Sequence, residues 1–106
     1  MLINLTPHDV TIRTQDGHEL TYPPTGPIAR VREERTIARV VEGIPFMQVQ
    51  FCDVQGLPRS LDGVYMIVSS MVRQALPDRL DLVTPGDTIR DQHGQVIACR
   101  ALYCNG

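Results

Sequence analysis

Asp9-Val10-Thr11-Ile12-Arg13-Thr14-Gln15-Asp16-Gly17-His18-Glu19-Leu20-Thr21-Tyr22 decides how the chain is read. Val10 and Ile12 alternate with polar neighbours, Asp-Gly follows, and a second β-prone run, Glu19 to Tyr22, begins at once. Asp-Gly between two such runs is a strong short-range hairpin signal, because the glycine accepts the positive φ of a tight turn. Outward from this unit, turn signals recur about every ten residues between short runs rich in Val, Ile and Thr. The pattern predicts a mainly β protein, a small antiparallel barrel or sandwich, rather than a repeated βαβ fold.

Tyr22 to Pro27 holds three prolines and is read as loop, since proline removes ladder donors. Strands are predicted at Ile28–Arg32, Thr36–Val41 and Pro45–Phe51, the last two forming a second hairpin or meander around Glu42-Gly43-Ile44, with Pro45 marking an edge strand. Cys52–Gly63 is read as loop. Val64-Tyr65-Met66-Ile67-Val68 is an apolar run expected to be buried on both sides at the centre of the core. Ser69 or Ser70 then caps one short helix, residues 70 to 76, ended by Pro77. Leu80–Val83 and Thr88–Asp91 are strands either side of a Thr84–Asp87 turn, and Gln92-His93-Gly94-Gln95 turns the chain into a closing strand, Val96–Tyr103.

With 106 residues, 42 % hydrophobic and 21 % charged, the chain matches one soluble domain, residues 1 to 106, without a coiled coil or disordered tail. Ten basic against twelve acidic residues give a net charge of −2, which argues against general nucleic-acid binding. All ten basic residues are arginine, so neither Schiff-base chemistry nor a phosphate-loop lysine is available. The N-terminal residues show no signal peptide and no window approaches a membrane span, so a cytoplasmic location is expected. Cys52, Cys99 and Cys104 fit this as reduced thiols, and with His93 they do not have zinc-site spacing. No phosphate loop, dinucleotide fingerprint or metal-binding motif occurs, and no cofactor is expected.

One internal echo stands out. Leu5-Thr6-Pro7-His8-Asp9-Val10-Thr11-Ile12-Arg13 through Gly17 matches Val83-Thr84-Pro85-Gly86-Asp87-Thr88-Ile89-Arg90 through Gly94, with one gap opposite Val10. Either turn chemistry converged, or two related hairpins pack together to close a barrel with Val10 as a β-bulge. In the second case Arg13 and Arg90 occupy equivalent places, where they would pair with acidic neighbours across strands or converge on one anion.

Candidate ligand residues follow from chemistry. Arg30, Arg79 and Arg90 offer planar guanidinium forks suited to carboxylate or phosphate. Ser69 and Ser70 open the helix, where free N–H groups face an anion. His8, beside Asp9, is the one candidate general base, although alternation along a strand would send the two side chains to opposite faces. The competing structural roles are turn capping for His8, helix capping for the serines and surface ion pairing for the arginines.

Across nearly the whole length, the chain resembles a family of small uncharacterised proteins of bacteria and their phages. The likeness lies in Asn4-Leu5-Thr6-Pro7-His8, Pro23-Pro24-Thr25-Gly26 with Ala29-Arg30-Val31, Gly43-Ile44-Pro45 and Gly56-Leu57-Pro58, and, later, Ile67-Val68-Ser69, Arg79 with Asp81, Pro85-Gly86-Asp87, Arg90-Asp91 and Gly94. These are mostly turn residues, so the resemblance speaks to fold more than to activity. It implies a non-enzymatic binding module, carried by a phage or mobile element, that engages a host protein or sequesters a nucleotide-like anion. Two alternatives stand beside it: a small hydrolase or transferase using His8 and an arginine-lined pocket, and a structural or assembly protein that forms homo-oligomers through an exposed edge strand near Pro45–Phe51.

Overall fold

A computed structural model describes all residues, 1 to 106. Eight strands and one helix follow in the order β1 (Leu2–Asn4), β2 (Val10–Arg13), β3 (Glu19–Tyr22), β4 (Arg30–Val41), β5 (Ile44–Gln55), β6 (Tyr65–Ile67), α1 (Ser70–Ala75), β7 (Leu82–Arg90) and β8 (Val96–Cys104). Six strands form one sheet in the order β1-β6-β7-β8-β2-β3, curled into a nearly closed barrel, while β4 and β5 pair only with each other. The expected mainly β, barrel-like architecture with one short helix is therefore present.

The ladder pairing is mixed. β1–β6, β6–β7 and β2–β8 are parallel, and β7–β8 and β2–β3 antiparallel. Parallel neighbours need a crossover, and α1 supplies the one between β6 and β7. Ser69 caps it, its Oγ accepting the Val72 N–H at 3.3 Å. At the other end Asn105 Nδ2 donates to the carbonyls of Arg73, Leu76 and Arg79 at 3.0–3.2 Å, tying the helix end and the turn after it to the end of β8.

β6 lies at the centre, with Met66, Ile67 and Val68 all fully buried. Alternation sends Met66 to one side, with Leu5, Ala29, Val68, Val72 and Leu82 under the helix. Ile67 faces the other side, with Val10, Val83 and Cys99. One short strand thus holds two apolar clusters together.

The barrel closes between β1 and β3 through Asn4, which is completely buried. Its Nδ2 donates to the carbonyls of His8 (2.7 Å) and Tyr22 (2.8 Å), and its Oδ1 accepts the Thr6 N–H (2.9 Å) and hydroxyl (2.6 Å). Its own carbonyl accepts the Thr25 N–H at 2.7 Å. Every polar atom of the side chain is matched, as burial requires.

Several strand boundaries differ from the sequence reading, three of them with consequences for the architecture. β4 is continuous from Arg30 to Val41 rather than two strands, because Glu33, Glu34 and Arg35 pair in regular register with Phe51, Gln50 and Val49; one extra residue, Ala38, is absorbed between the pairs Ile37↔Met47 and Arg39↔Phe46. β5 continues past Phe51 to Gln55, so Cys52–Gln55 is not loop. A bulge there lets Val54 pair with Val31, while Asp53 accepts the Arg32 guanidinium at 2.8 Å. Thr84–Asp87 is not a turn but the middle of β7. The Val83 carbonyl accepts the Val68 N–H at 2.9 Å, so residues 83 and 85 direct their backbone groups toward β6. The last β6 pair is Ile67↔Val83, so Pro85 lies beyond it and removes no ladder donor. Asp87, at φ 49°, is steadied by Tyr103, whose hydroxyl donates to its carboxylate at 2.7 Å. The Tyr103 ring lies over Gly86, where an added Cβ would sit 2.4 Å from ring carbons.

The echoing hairpins are neighbours in the sheet, joined by the parallel β8–β2 contact at Ile12↔Cys99. Their tips are the same turn. Thr14 N–H donates to the His18 carbonyl and Gly17 N–H to the Thr14 carbonyl, and Asp91, Gln95 and Gly94 repeat this pattern. Thr14 Oγ1 and Asp91 Oδ1 each accept the N–H four residues on. The likeness stops at the tips. Val10 is paired regularly with Tyr22 and is no bulge, and β2 and β7 run in opposite directions, so the two tips point to opposite ends of the sheet.

Candidate interaction surface

The residues expected to bind a ligand are dispersed. His8 is exposed in the β1–β2 loop, and only its carbonyl is engaged, by Asn4 and Thr6. Arg30 is exposed at the first residue of β4, opposite Gln55. Ser69 caps the helix, and Ser70 is the exposed first residue of a six-residue helix. Arg79 forms a two-pronged pair with Asp81 (2.8 and 2.9 Å) and also donates to the Pro58 carbonyl at 3.2 Å. Arg90 donates to the Gly94 carbonyl at 2.7 Å across its own turn. Arg13 pairs with Glu19 on β3 at 3.2 Å. Because their hairpin tips point apart, Arg13 and Arg90 do not meet. None of His8, Arg30, Ser69, Ser70, Arg79 or Arg90 lines any of the four surface recesses.

Arg79 and Asp81 instead fasten the 56–63 segment to the barrel. The Arg79 hydrogen bond holds the Asp81 carboxyl below its ordinary value, against a smaller opposing effect of burial. A carboxyl depressed in the folded state stabilises above the ordinary carboxylate range, and that contribution is lost as pH falls through the lower folded value. Asp81→Asn is therefore expected to lower the melting temperature at neutral pH and to flatten its decline below about pH 4. Thermal unfolding of both proteins across pH 2 to 7, a span chosen to bracket carboxylate titration, checks this.

His93 sits in the β7–β8 tip, whereas Cys99 is buried in β8 and Cys104 is exposed at its end. Their five-residue separation along a strand puts the two thiols on opposite faces. No group of three His, Cys, Asp or Glu side chains could hold a metal ion. No helix is long and apolar enough to cross a membrane.

The feature that has no counterpart in a closed globular domain is the β4–β5 arm. Two twelve-residue strands meet in a two-residue turn, Glu42 (φ 53°) and Gly43 (φ 75°), between Val41 and Ile44. Positive φ at both central residues gives the turn whose twist suits a hairpin. At the root Gly56 lets the chain pass the start of β4. It has φ 79°, and an added Cβ would lie 2.5 Å from the Ile28 carbonyl oxygen.

The arm has two unlike faces. Directly opposed residues share a face, so the pairs Glu34↔Gln50 and Thr36↔Gln48 make one face polar along its middle. The other carries Pro45, Met47, Val49 and Phe51 in alternation along β5, opposite Val40, Ile37, Arg35 and Glu33 in turn, so the Glu33–Arg35 ion pair flanks the apolar row on its root half. Met47, Val49 and Phe51 remain about half exposed, and Ile37 and Val40 are 61 % exposed. This stripe runs down to the root, where Val31 and Phe51 face Met71 and Ala75 of α1 across a recess of about 400 Å³. The charged residues on the root half of the arm neutralise one another: Arg35 with Glu33 (3.1 Å), and Arg32 with Glu34 (3.0 Å) and Asp53 (2.8 Å).

No family model matches this sequence, and neither a curated protein nor a solved structure does.

Proposed function

We propose that the chain is a non-catalytic binding module that works through its β4–β5 arm, whose apolar face docks on another protein surface. The observation that carries this is the exposed stripe of Ile37, Val40, Met47, Val49 and Phe51 on a two-stranded arm that no part of the barrel covers beyond its root. A lone two-stranded hairpin is marginal in water, and twelve-residue strands with a bare apolar face need a covering surface. Among the expected partners, this favours a protein over a small anion, because the face offers apolar area and no free cluster of guanidinium groups. A role in which a phage-borne protein occupies a host factor is compatible with it.

Size points the same way. The accessible surface of 7483 Å² exceeds by about 1,600 Å² what a compact monomer of this mass exposes. The radius of gyration, 16.9 Å, compares with about 13 Å for a compact domain of this length.

The test replaces residues 33–51 with a two-residue turn, leaving Val31 and Val54 paired. The shortened protein should keep the barrel, with a far-ultraviolet spectrum of folded β structure, yet migrate as a monomer in lysate fractions where the full chain travels in a larger species. If the shortened, folded protein still travels with that larger species, the arm is not the working surface.

A further inference from the structure

Resting on the arm as the working surface, we propose that its occupant is a second copy of this chain, two arms stacking apolar face to apolar face about a two-fold axis. The axis passes near the middle of the stripe, between Val49 and Met47. It sets the tip of each arm, Val40 and Pro45, into the recess that the other copy forms from Val31, Phe51, Met71 and Ala75.

Three observations select a second copy. The first is area. Each protomer exposes about 1,600 Å² beyond a compact monomer, a surplus shared by the two faces of the arm, and half of it matches the roughly 800 Å² per partner that a stable interface buries. The second is charge. The arginines and acids on the root half of the arm are already paired within the chain, Glu33 with Arg35 on the stacked face and Arg32 with Glu34 and Asp53, so the face asks for no oppositely charged partner and does not repel its own copy. The third is layout. The apolar row along β5 runs from the tip to a recess at the root, with the Glu33–Arg35 pair beside it, so opposite ends of one surface complement each other, as an isologous dimer requires.

Stacking of faces is favoured over pairing of edges. The outer strand β4 carries Arg30, Arg32, Glu33, Glu34, Arg35 and Arg39, and charges of this density guard an edge. β5 is interrupted by Pro45 at one end and by the bulge at Cys52-Asp53 at the other.

Sedimentation equilibrium of the purified full chain tests this, with Val49→Asp on the apolar face and Gln48→Asp on the polar face. The wild type and Gln48→Asp should be dimers with a common dissociation constant. Val49→Asp should weaken dimerisation by about 100-fold or more, because a symmetric interface meets each substitution twice. Val49 is half exposed in the monomer, so the variant should retain its circular dichroism; if it does not, Ile37→Asp on the opposite strand takes its place. A wild type that remains monomeric at about 100 µM, far above the dissociation constant of a specific dimer, overturns the proposal. So does a dimer that Val49→Asp leaves intact. In the first case the arm can still serve a different protein, and the shortened-arm comparison in lysate decides that reading separately.

Discussion

Asn4→Asp is expected to unfold the protein, or nearly so, at neutral pH. Asn4 is fully buried and closes the barrel by donating to the carbonyls of His8 and Tyr22. An ionised aspartate keeps the shape but can donate to neither, and it places a negative charge against two carbonyl oxygens in a site without a cation. Each buried polar group left unmatched costs about 1–3 kcal/mol, and a buried charge costs more, so the total is about 4 kcal/mol or greater. Against a typical stability of roughly 5–15 kcal/mol this removes a large fraction of the whole. Protonating the new carboxyl restores one donor, so the variant should gain stability as pH falls from 7 toward roughly 4, while the wild type does not. Urea denaturation at both pH values reads the difference. A variant with wild-type stability at pH 7, the neutral reference for an ionised carboxylate, would mean that the barrel does not depend on Asn4 for closure.

The second large effect is expected at Met66, which is fully buried within the cluster under α1. Met66→Ala removes side-chain contacts with Leu5, Val68, Val72 and Leu82 and leaves a cavity between the helix and the sheet. A loss of about 3 kcal/mol follows from the usual range for such truncations. The urea midpoint should fall with little change in slope, since the same surface is exposed on unfolding. Tyr65→Ala is the internal comparison, because its side chain is 49 % exposed on the adjacent position and should cost under about 1 kcal/mol. Equal losses at the two positions would show that β6 is not held between two apolar clusters.

What could be read in advance was whatever local chemistry controls. Asp16-Gly17 and the alternation of Val10 and Ile12 placed the first hairpin, the apolar run 64–68 placed the central strand, and Ser69 with Pro77 bracketed the helix. The helix cap at Asn105 was not visible, since its partners lie 26 to 32 residues earlier in the chain. Nor was the Asn4 closure, which joins β1 to the end of β3 and needs the tertiary fold to exist. The arm was half visible. Alternation placed strands at Thr36–Val41 and Pro45–Phe51, and Pro45 marked an edge, but residues 33–35 pair regularly with 49–51 and Cys52-Asp53 is a bulge within β5, so the arm's length was hidden. Exposure was hidden as well, because Met47, Val49 and Phe51 carry the same period whether they face a core or a partner.

The arginines illustrate the same limit from the functional side. Guanidinium groups look like ligand donors in a sequence, but Arg79, Arg90, Arg13 and Arg32 each find a carboxylate or carbonyl within their own chain. Their partners are cross-strand or turn neighbours, fixed by register, and register is set by packing as much as by turn residues. The surface that remains unpartnered is apolar and lies on the arm.

The most direct test of the arm as the working surface places a photo-crosslinking amino acid at Met47, at Gln48, or at Gln92 in the β7–β8 tip, each in the full-length protein inside cells. Irradiation should yield discrete crosslinked products, with a second copy of the chain or another protein, from position 47 and far less from 48 and 92. Equal crosslinking from all three positions, or products from the barrel tip alone, would contradict the account.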